Sequence, residues 1–522
     1  MKSRFVQSAL PTFGERCSDT GRRMRGLWSQ DLTLFGRLFW RILAAQSPED
    51  NVPSEFSPRL RAGLVFLLPL LTTSSLASTT IHVGHDQPYT TIQSGINAAK
   101  SGDTVLIGPG EYHENIDFTG KAITVKSSEG VAATIIDGGS IGPAVTFKSG
   151  ETAASVIQGF TIQHGGSFSD GIGNIYILSS SPSIIGNTIT QGNCWDIQSE
   201  WSAPMIRANT ISATQDPDGD CSFGGGAAIL IWGGINGYNE AGVNSGMVLG
   251  NTIEDNVESG LEDAGGNGGA AIAVWGGTLL IMNNTIRNNA SPGGSGGAIN
   301  FINSQGTIIA QNLIYGNSAG CGGGAIATDG QGLYVVNNTI VNNSSAGDGG
   351  FSECAAIAQI YPSPDSYGSD SPKDIFINNI ISGSTSYPAV NCSWFGTPSL
   401  STQPTFQNNI VYNAGGPFFG SYCLDVAKSD GNIEAAPMFV DPSKNDFRLQ
   451  SSSPAIDHGL VSIVQTVETQ TGRAWETDFG GNPREQKGSA KSCTIDIGAY
   501  EYQSAKGKCG VSKTDAGLSI EE

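Results

Sequence analysis

Positive charge is scarce in this chain, and most so where it is most repetitive. Between Lys148 and Lys373 only Arg207 and Arg287 are basic. Over the 522 residues, 27 Lys and Arg face 47 Asp and Glu, a formal net charge of −20. No basic track exists along which phosphates could lie, so nucleic acid is excluded as a partner. The same acidity also suits the solubility of an exported protein. Apolar spacing at i, i+3 and i+4 is missing from the central region, which excludes helical repeats. No Cys-x-x-Cys pair occurs, so metal binding by cysteine is excluded. The longest apolar run, Leu64 to Leu71, is too short for a transmembrane helix and contains Pro69.

What the chain has in abundance is a short phrase built on asparagine. It reads Gly186-Asn187-Thr188-Ile189, Ala208-Asn209-Thr210-Ile211, Gly250-Asn251-Thr252-Ile253, Asn283-Asn284-Thr285-Ile286, Gln311-Asn312-Leu313-Ile314, Asn337-Asn338-Thr339-Ile340, Asn378-Asn379-Ile380-Ile381 and Asn408-Asn409-Ile410-Val411. The steps between them run from about 20 to about 40 residues, the signature of a solenoid. A second phrase precedes many of them: Gly225-Gly226-Ala227-Ala228-Ile229, Gly268-Gly269-Ala270-Ala271-Ile272, Gly296-Gly297-Ala298-Ile299, Gly323-Gly324-Ala325-Ile326 and Cys354-Ala355-Ala356-Ile357. Between the two lie aliphatic runs such as Leu279 to Met282 and Leu333 to Val336. Three short strands per period predict a parallel β-helix, with stacked Ile and Val inside and asparagines laddered at about 4.8 Å. The two longest steps, Asn209 to Asn251 and Asn338 to Asn379, are read as one coil plus a long loop.

Residues from about 80 to 415 therefore resemble the right-handed parallel β-helix superfamily of pectate lyases, polygalacturonases and many bacterial surface proteins. Handedness comes with that resemblance and with the bias of parallel crossovers. The expected fold is all-β: a single-stranded right-handed solenoid with an N-terminal capping helix and a small C-terminal β-rich module. This scaffold hosts many chemistries, so the resemblance names no reaction.

Residues 59–77 read as a secretory signal: Arg59 and Arg61, the apolar run, then Ser75-Leu76-Ala77 as a cleavage site. Residues 1–58, basic and without strand pattern, are expected to stem from an overcalled start. Without the first 77 residues the chain keeps 17 basic and 41 acidic residues (27 − 10 and 47 − 6), or −24. Thr91 to Ala99 predicts a short amphipathic helix, with Ile92, Ile96 and Ala99 on one face and Gly102 beyond its end. It would cap the open end of the solenoid, taken to span 78–436. From 437 to 503, Phe439-Val440-Asp441-Pro442, Ser453-Pro454-Ala455-Ile456-Asp457-His458-Gly459, Gly481-Asn482-Pro483-Arg484 and Asp496-Ile497-Gly498-Ala499-Tyr500-Glu501 resemble the module called choice-of-anchor Q. That resemblance implies a bacterial secreted or surface-associated protein. The tail, 504–522, is polar.

Of nine cysteines, Cys17 precedes the proposed cleavage site, leaving an even eight. Cys194 and Cys221, Cys321 and Cys354, and Cys392 and Cys423 are each about one coil apart, so each pair can stack within disulfide reach. Cys493 and Cys509 complete the expected set.

For chemistry, the resemblance points to the strand carrying the Gly-Ala-Ile phrase and its preceding loops. The polygalacturonase aspartates are missing, since Ile stands where the family has Asp and Gly precedes Ala-Ile. Pectate lyases use an Arg or Lys base with calcium, and neither arginine falls on this strand. Aligned on Ile229, Ile272, Ile299, Ile326 and Ile357, the residues three further on are Trp232, Trp275, Ile302, Asp329 and Ile360. Trp232 and Trp275 are expected to stack, pointing outward to meet sugar rings or else covered by loops, with Asp329 in the same row. Asp220 and Asp263 precede neighbouring groove strands and form the candidate carboxylate pair for glycoside hydrolysis; Glu254, Asp255, Glu258 and Glu262 share the second loop. Asp216, Asp218 and Asp220 resemble the start of a calcium loop that lacks its final Glu, making calcium the one cofactor considered. The expectation is a secreted monomer that recognises extracellular polysaccharide, with cleavage left open and hydrolysis favoured over elimination. The rival is a non-catalytic surface or matrix adhesin or scaffold.

Overall fold

A computed structural model describes residues 78–166, 172–214, 226–233, 244–258, 269–292, 294, 296–320, 322–328, 332–345, 355–360, 373–392, 403–420, 423–484, 486–487 and 493–503. The chain winds into a parallel β-helix with three faces per coil. In chain order these are a first face bearing the Ala-Ile strands, a second bearing the aliphatic runs, and a third bearing the Thr-Ile strands. On the first, Trp195–Glu200, Ala227–Trp232, Ile272–Met282 and Ile299–Ser304 pair in parallel register. Strand Ile272–Met282 continues around the corner into the second face. Among the described residues the third face is an eleven-stranded parallel sheet.

Alternation in short strands sends every second residue inward, and β-branched side chains fit the narrow interior. On the third face Ile162, Ile189, Ile211, Ile253, Ile286, Ile314, Ile340 and Ile381 form one fully buried inner column. The corner between the second and third faces holds the expected asparagine ladder. Asn187, Asn209, Asn251, Asn284, Asn312, Asn338, Asn379 and Asn409 each donate from Nδ2 to Oδ1 of the next, at 2.9–3.2 Å. The ladder runs one coil further than the phrase, to Asn432. Each Oδ1 also accepts a backbone N–H, so a buried turn that would otherwise leave amides unpaired is satisfied. The residue before each ladder asparagine, from Gly186 to Asn408, has φ between 51° and 61°. Asn209 meets Asn251 directly, and Asn338 meets Asn379, so both long steps are single coils.

A second ladder was not foreseen. Thr214, Asn256, Asn289, Asn317 and Asn343, each five residues beyond the first ladder, bond in the same way at the next corner. Its sequence signal is the Asn closing Asn-Thr-Ile-x-x-Asn, legible once the spacing is counted.

At the start, strand Thr80–Val83 precedes the cap and pairs with Thr104–Ile107. Helix α1, Ile92–Ala98, buries Ile92 and Ile96, and Thr91 accepts from Ser94 N–H as N-cap. A Cβ on Gly95 would come 2.5 Å from Val83 Cγ2, so only glycine lets the helix sit this close to the first coil. Gly324 is similarly constrained, since a Cβ there would lie 2.2 Å from the Ser344 carbonyl of the next coil.

At the other end the chain turns back over its own solenoid. The described residues of 437–503 hold two short antiparallel pairs, Phe439–Asp441 with Asp446–Leu449 and Gln486–Lys487 with Cys493–Thr494, and helix α2, Ser462–Thr471. Ile463, Val464, Val467 and Trp475 cover Leu249, Leu280, Ile308 and Val336 on the outside of the second face. Phe439, Phe447, Leu449 and Ile497 cover Leu313, Tyr315, Val341, Ile380 and Ile410 on the third. The family-like phrases are the clamps of this cover. Arg484 is fully buried over the Trp475 ring, 5.2 Å from its centroid, and donates from Nε to Gln311 Oε1 at 2.8 Å and from Nη2 to the Ala499 carbonyl at 2.8 Å. Asp496 accepts from the Asp457 and Tyr502 amides, while burial pushes its carboxyl up to about 6.

Cys392 and Cys423 are disulfide-bonded with 5.0 Å between Cα atoms, as the coil spacing predicts. Cys194 is also disulfide-bonded. Cys221, Cys321, Cys354, Cys509 and the Cys493 side chain lie outside the described residues, as does the segment read as a signal. Among the described residues no helix is long and apolar enough to cross a membrane.

Candidate functional site on the first face

Outward positions on the first face form two rows. In one, Leu178, Glu200, Trp232, Trp275 and Ile302 stand in register across successive coils. In the other stand Tyr176, Gln198, Leu230, Ala273 and Asn300. Ile197, Ile229 and Ile272 point inward and are fully buried, which fixes the opposite direction for the rows.

Trp232 and Trp275 do lie beside each other, but not face to face: their centroids are 6.2 Å apart and the rings meet edge-on, at 76°. Outward side chains on paired strands have room to tilt, and the indole quadrupole favours the edge-to-face arrangement. Trp201, at the turn after Glu200, extends the row, 6.5 Å from Trp232. Its backbone is left-handed, with φ 47°, and its amide bonds the Trp232 carbonyl at 2.9 Å. Trp201 is 40 % exposed, while Trp232 and Trp275 are half-buried on a bed of Trp195, Ala227, Leu230 and Ala273. Three indoles thus form a strip that is anchored beneath and open at Trp201.

Beside the strip stand polar groups that the sequence reading did not single out. Glu200 is in the same row, and Gln198 Nε2 donates to its Oε1 at 2.9 Å. Burial raises the Glu200 carboxyl above its ordinary value, against the bonds from Gln198 and Tyr176. The Tyr176 hydroxyl is pushed up to about 12 by burial and by the neighbouring Glu200 charge. These residues were legible in principle. Ile197 pairs with Ile229, so extending the isoleucine alignment one coil earlier puts Glu200 in the tryptophan row. At the other end the alignment slips, because a bulge between Gly323 and Ile326 pairs Ile326 with Ala358 rather than Ile357. Ile360 therefore pairs with Thr328 and not with the row.

Asp220, Asp263, Asp329, Asp216 and Asp218 lie outside the described residues, as does Glu262. Of the described acids of the second loop, Asp255 is exposed while Glu254 and Glu258 serve structure. Glu254 pairs with Arg287 on the third face. Glu258 is buried and accepts from Ser291 Oγ. Arg207 is on the second face, so no described arginine or lysine stands in the tryptophan row. Further inside the corner, Asp196 is fully buried. Burial pushes its carboxyl up to about 7 against bonds from Thr214, Asn174 and Gly192, and it ties the end of the second ladder to the first face.

No curated protein matches the chain. A family model described as disaggregatase related matches residues 322–470. This match, and not one to choice-of-anchor Q, takes in the Phe439 and Ser453 phrases, so the expected choice-of-anchor Q module is not the family found. Among solved structures, pectate lyase Pel9A is 12% identical, with 82% of this chain and 97% of that chain covered and a TM-score of 0.38. XylC in complex with xylose is 13% identical, with 64% and 75% covered and a TM-score of 0.37. The A-module of the mannuronan C-5 epimerase AlgE6 of Azotobacter vinelandii is 15% identical, with 66% and 95% covered and a TM-score of 0.35. These likenesses concern the fold, which the ladders and strand register establish independently.

Proposed function

We propose that this β-helix is an exported protein that recognises extracellular polysaccharide along the outside of its first face. The observation that carries the reading is the Trp201, Trp232 and Trp275 strip, whose centroids lie 6.5 and 6.2 Å apart with tilted and edge-on rings, an outward aromatic row against which sugar rings can pack. Gln198, Tyr176 and Glu200 supply directional hydrogen bonds at one end of it. The disulfides fit an oxidising compartment.

As chemistry, the site favours hydrolysis over elimination. A protonatable Glu200 held beside the strip suits a general acid, whereas a lyase base of the Arg or Lys type has no described counterpart there. Hydrolysis needs a second carboxylate, for which Asp220 and Asp263 are the candidates. The test is a glycan array with parallel polysaccharide digests on the wild type, Trp232→Ala and Glu200→Gln. Binding that drops at least tenfold in Trp232→Ala supports recognition. Cleavage abolished in Glu200→Gln with binding retained makes the protein a hydrolase with Glu200 as its acid. Binding without cleavage in the wild type leaves a non-catalytic adhesin. Equal binding by Trp232→Ala and wild type overturns the site.

A further inference from the structure

A different cluster stands on the outside of the third face, in the first two coils, away from the tryptophan strip. Strand Gly110–His113 alternates: the Tyr112 hydroxyl bonds the Gly108 carbonyl, while Glu111 and His113 point out and are exposed. On the next coil Asp137 pairs directly with His113. One carboxylate oxygen of Glu111, one imidazole nitrogen of His113 and one carboxylate oxygen of Asp137 all lie within 4.8 Å of one another. The Glu111 Oε1 and His113 Nε2 atoms are already 3.8 Å apart.

The three differ in mobility in a way that suits capture of an ion. Asp137 is 8% exposed and held from three sides. Gly139 N–H donates to its Oδ1 at 2.9 Å, Gln163 Nε2 to its Oδ2 at 3.0 Å, and His164 Nδ1 lies 2.8 Å from that Oδ2. Glu111 and His113 are exposed arms that close by side-chain rotation, since bonds of about 2.0–2.1 Å place tetrahedral ligands roughly 3.4 Å apart. Histidine is rare here, five in the chain, yet two of the five meet Asp137.

We propose that Glu111, His113 and Asp137 form a binding site for a divalent transition-metal ion of the zinc class. An imidazole with two carboxylates suits zinc and its neighbours, whereas calcium and magnesium prefer oxygen ligands alone. Three protein ligands leave a coordination position for water. The site bridges the first two coils at the capped end, so occupancy stabilises that end and is independent of glycan recognition.

The experiment is calorimetric titration of the untagged full chain, stripped with chelator, using zinc chloride and, separately, calcium chloride. One zinc per chain at micromolar affinity is expected, together with a rise in melting temperature that chelator reverses. His113→Ala, an exposed position whose loss leaves the apo melting temperature unchanged, is expected to weaken zinc at least tenfold, and Asp137→Asn likewise. His458→Ala is expected to have no effect. Zinc binding unchanged by His113→Ala, no zinc binding at 100 times micromolar concentration (roughly 0.1 mM), or calcium that displaces zinc at equal concentration and is itself lost in His113→Ala each overturns the proposal.

Discussion

The outside of the third face divides into two halves with different chemistry over one interior. In the earlier coils its outward rows read Thr161, Thr188, Thr210, Thr252 and Thr285 and, beside them, Asp137, Gln163, Thr190, Ser212, Glu254 and Arg287. From Leu313 onward the same rows turn mostly apolar, with Leu313, Ile380 and Ile410 broken by Thr339, which accepts from the Ala499 amide of the cover, and, beside them, Tyr315, Val341 and Tyr412 broken by Ser382. Inward isoleucines and ladder asparagines are the same in both halves. The difference lies in what covers them: water over the first, residues 437–503 over the second. Outward residues of a solenoid thus report its external partner, whereas inward residues report only the fold.

The largest expected effect comes from removing the cover. Arg484→Ala removes the cation from the buried Gln311 and from Glu501, whose Oε2 lies 3.9 Å from Arg484 Nη1, and loss of one partner of a buried ionic network costs about 3–5 kcal/mol. Denaturant unfolding with limited proteolysis checks it: the C-terminal segment should become cleavable while the earlier coils stay protected. Simultaneous loss of both halves would mean that the cover and solenoid fold as one unit.

Next in size is a cut through the shared interior. Asn284→Ala in the open half and Asn338→Ala in the covered half should each cost about 2–3 kcal/mol, because each strands buried donors and acceptors on both neighbouring coils. Chemical denaturation of the pair tests the equivalence. A markedly smaller loss for Asn338→Ala would show that the cover, rather than the ladder, holds the later coils.

The smallest effect is an exchange across the boundary. Leu313→Thr should destabilise by about 1–2 kcal/mol by removing apolar area from beneath the cover. Thr285→Leu, in the open half, should leave the melting temperature within error. Equal responses would erase the distinction between the halves.

The phrase Asn-Thr-Ile, the Gly-Ala-Ile phrase and the β-branched runs determined the solenoid by themselves. Ladder bonding and inward stacking act between equivalent positions of adjacent coils, and such contacts leave a period in the sequence. The capping helix and the Cys392–Cys423 bridge were legible for the same reason, being local or one coil apart. What only the tertiary structure decided lacks that period. Gln311 meeting Arg484 and Trp475, and Asn337 meeting Asp496, join residues some 160 apart whose pairing depends on how the chain folds back. Glu200 entered the tryptophan row, and Glu111, His113 and Asp137 came together, through the register of coils of unequal length. A single bulge at Gly323 was enough to move Ile360 out of the row that counting assigned it. Periodic contacts are written in the sequence, while contacts between different periods are fixed only when the coils close.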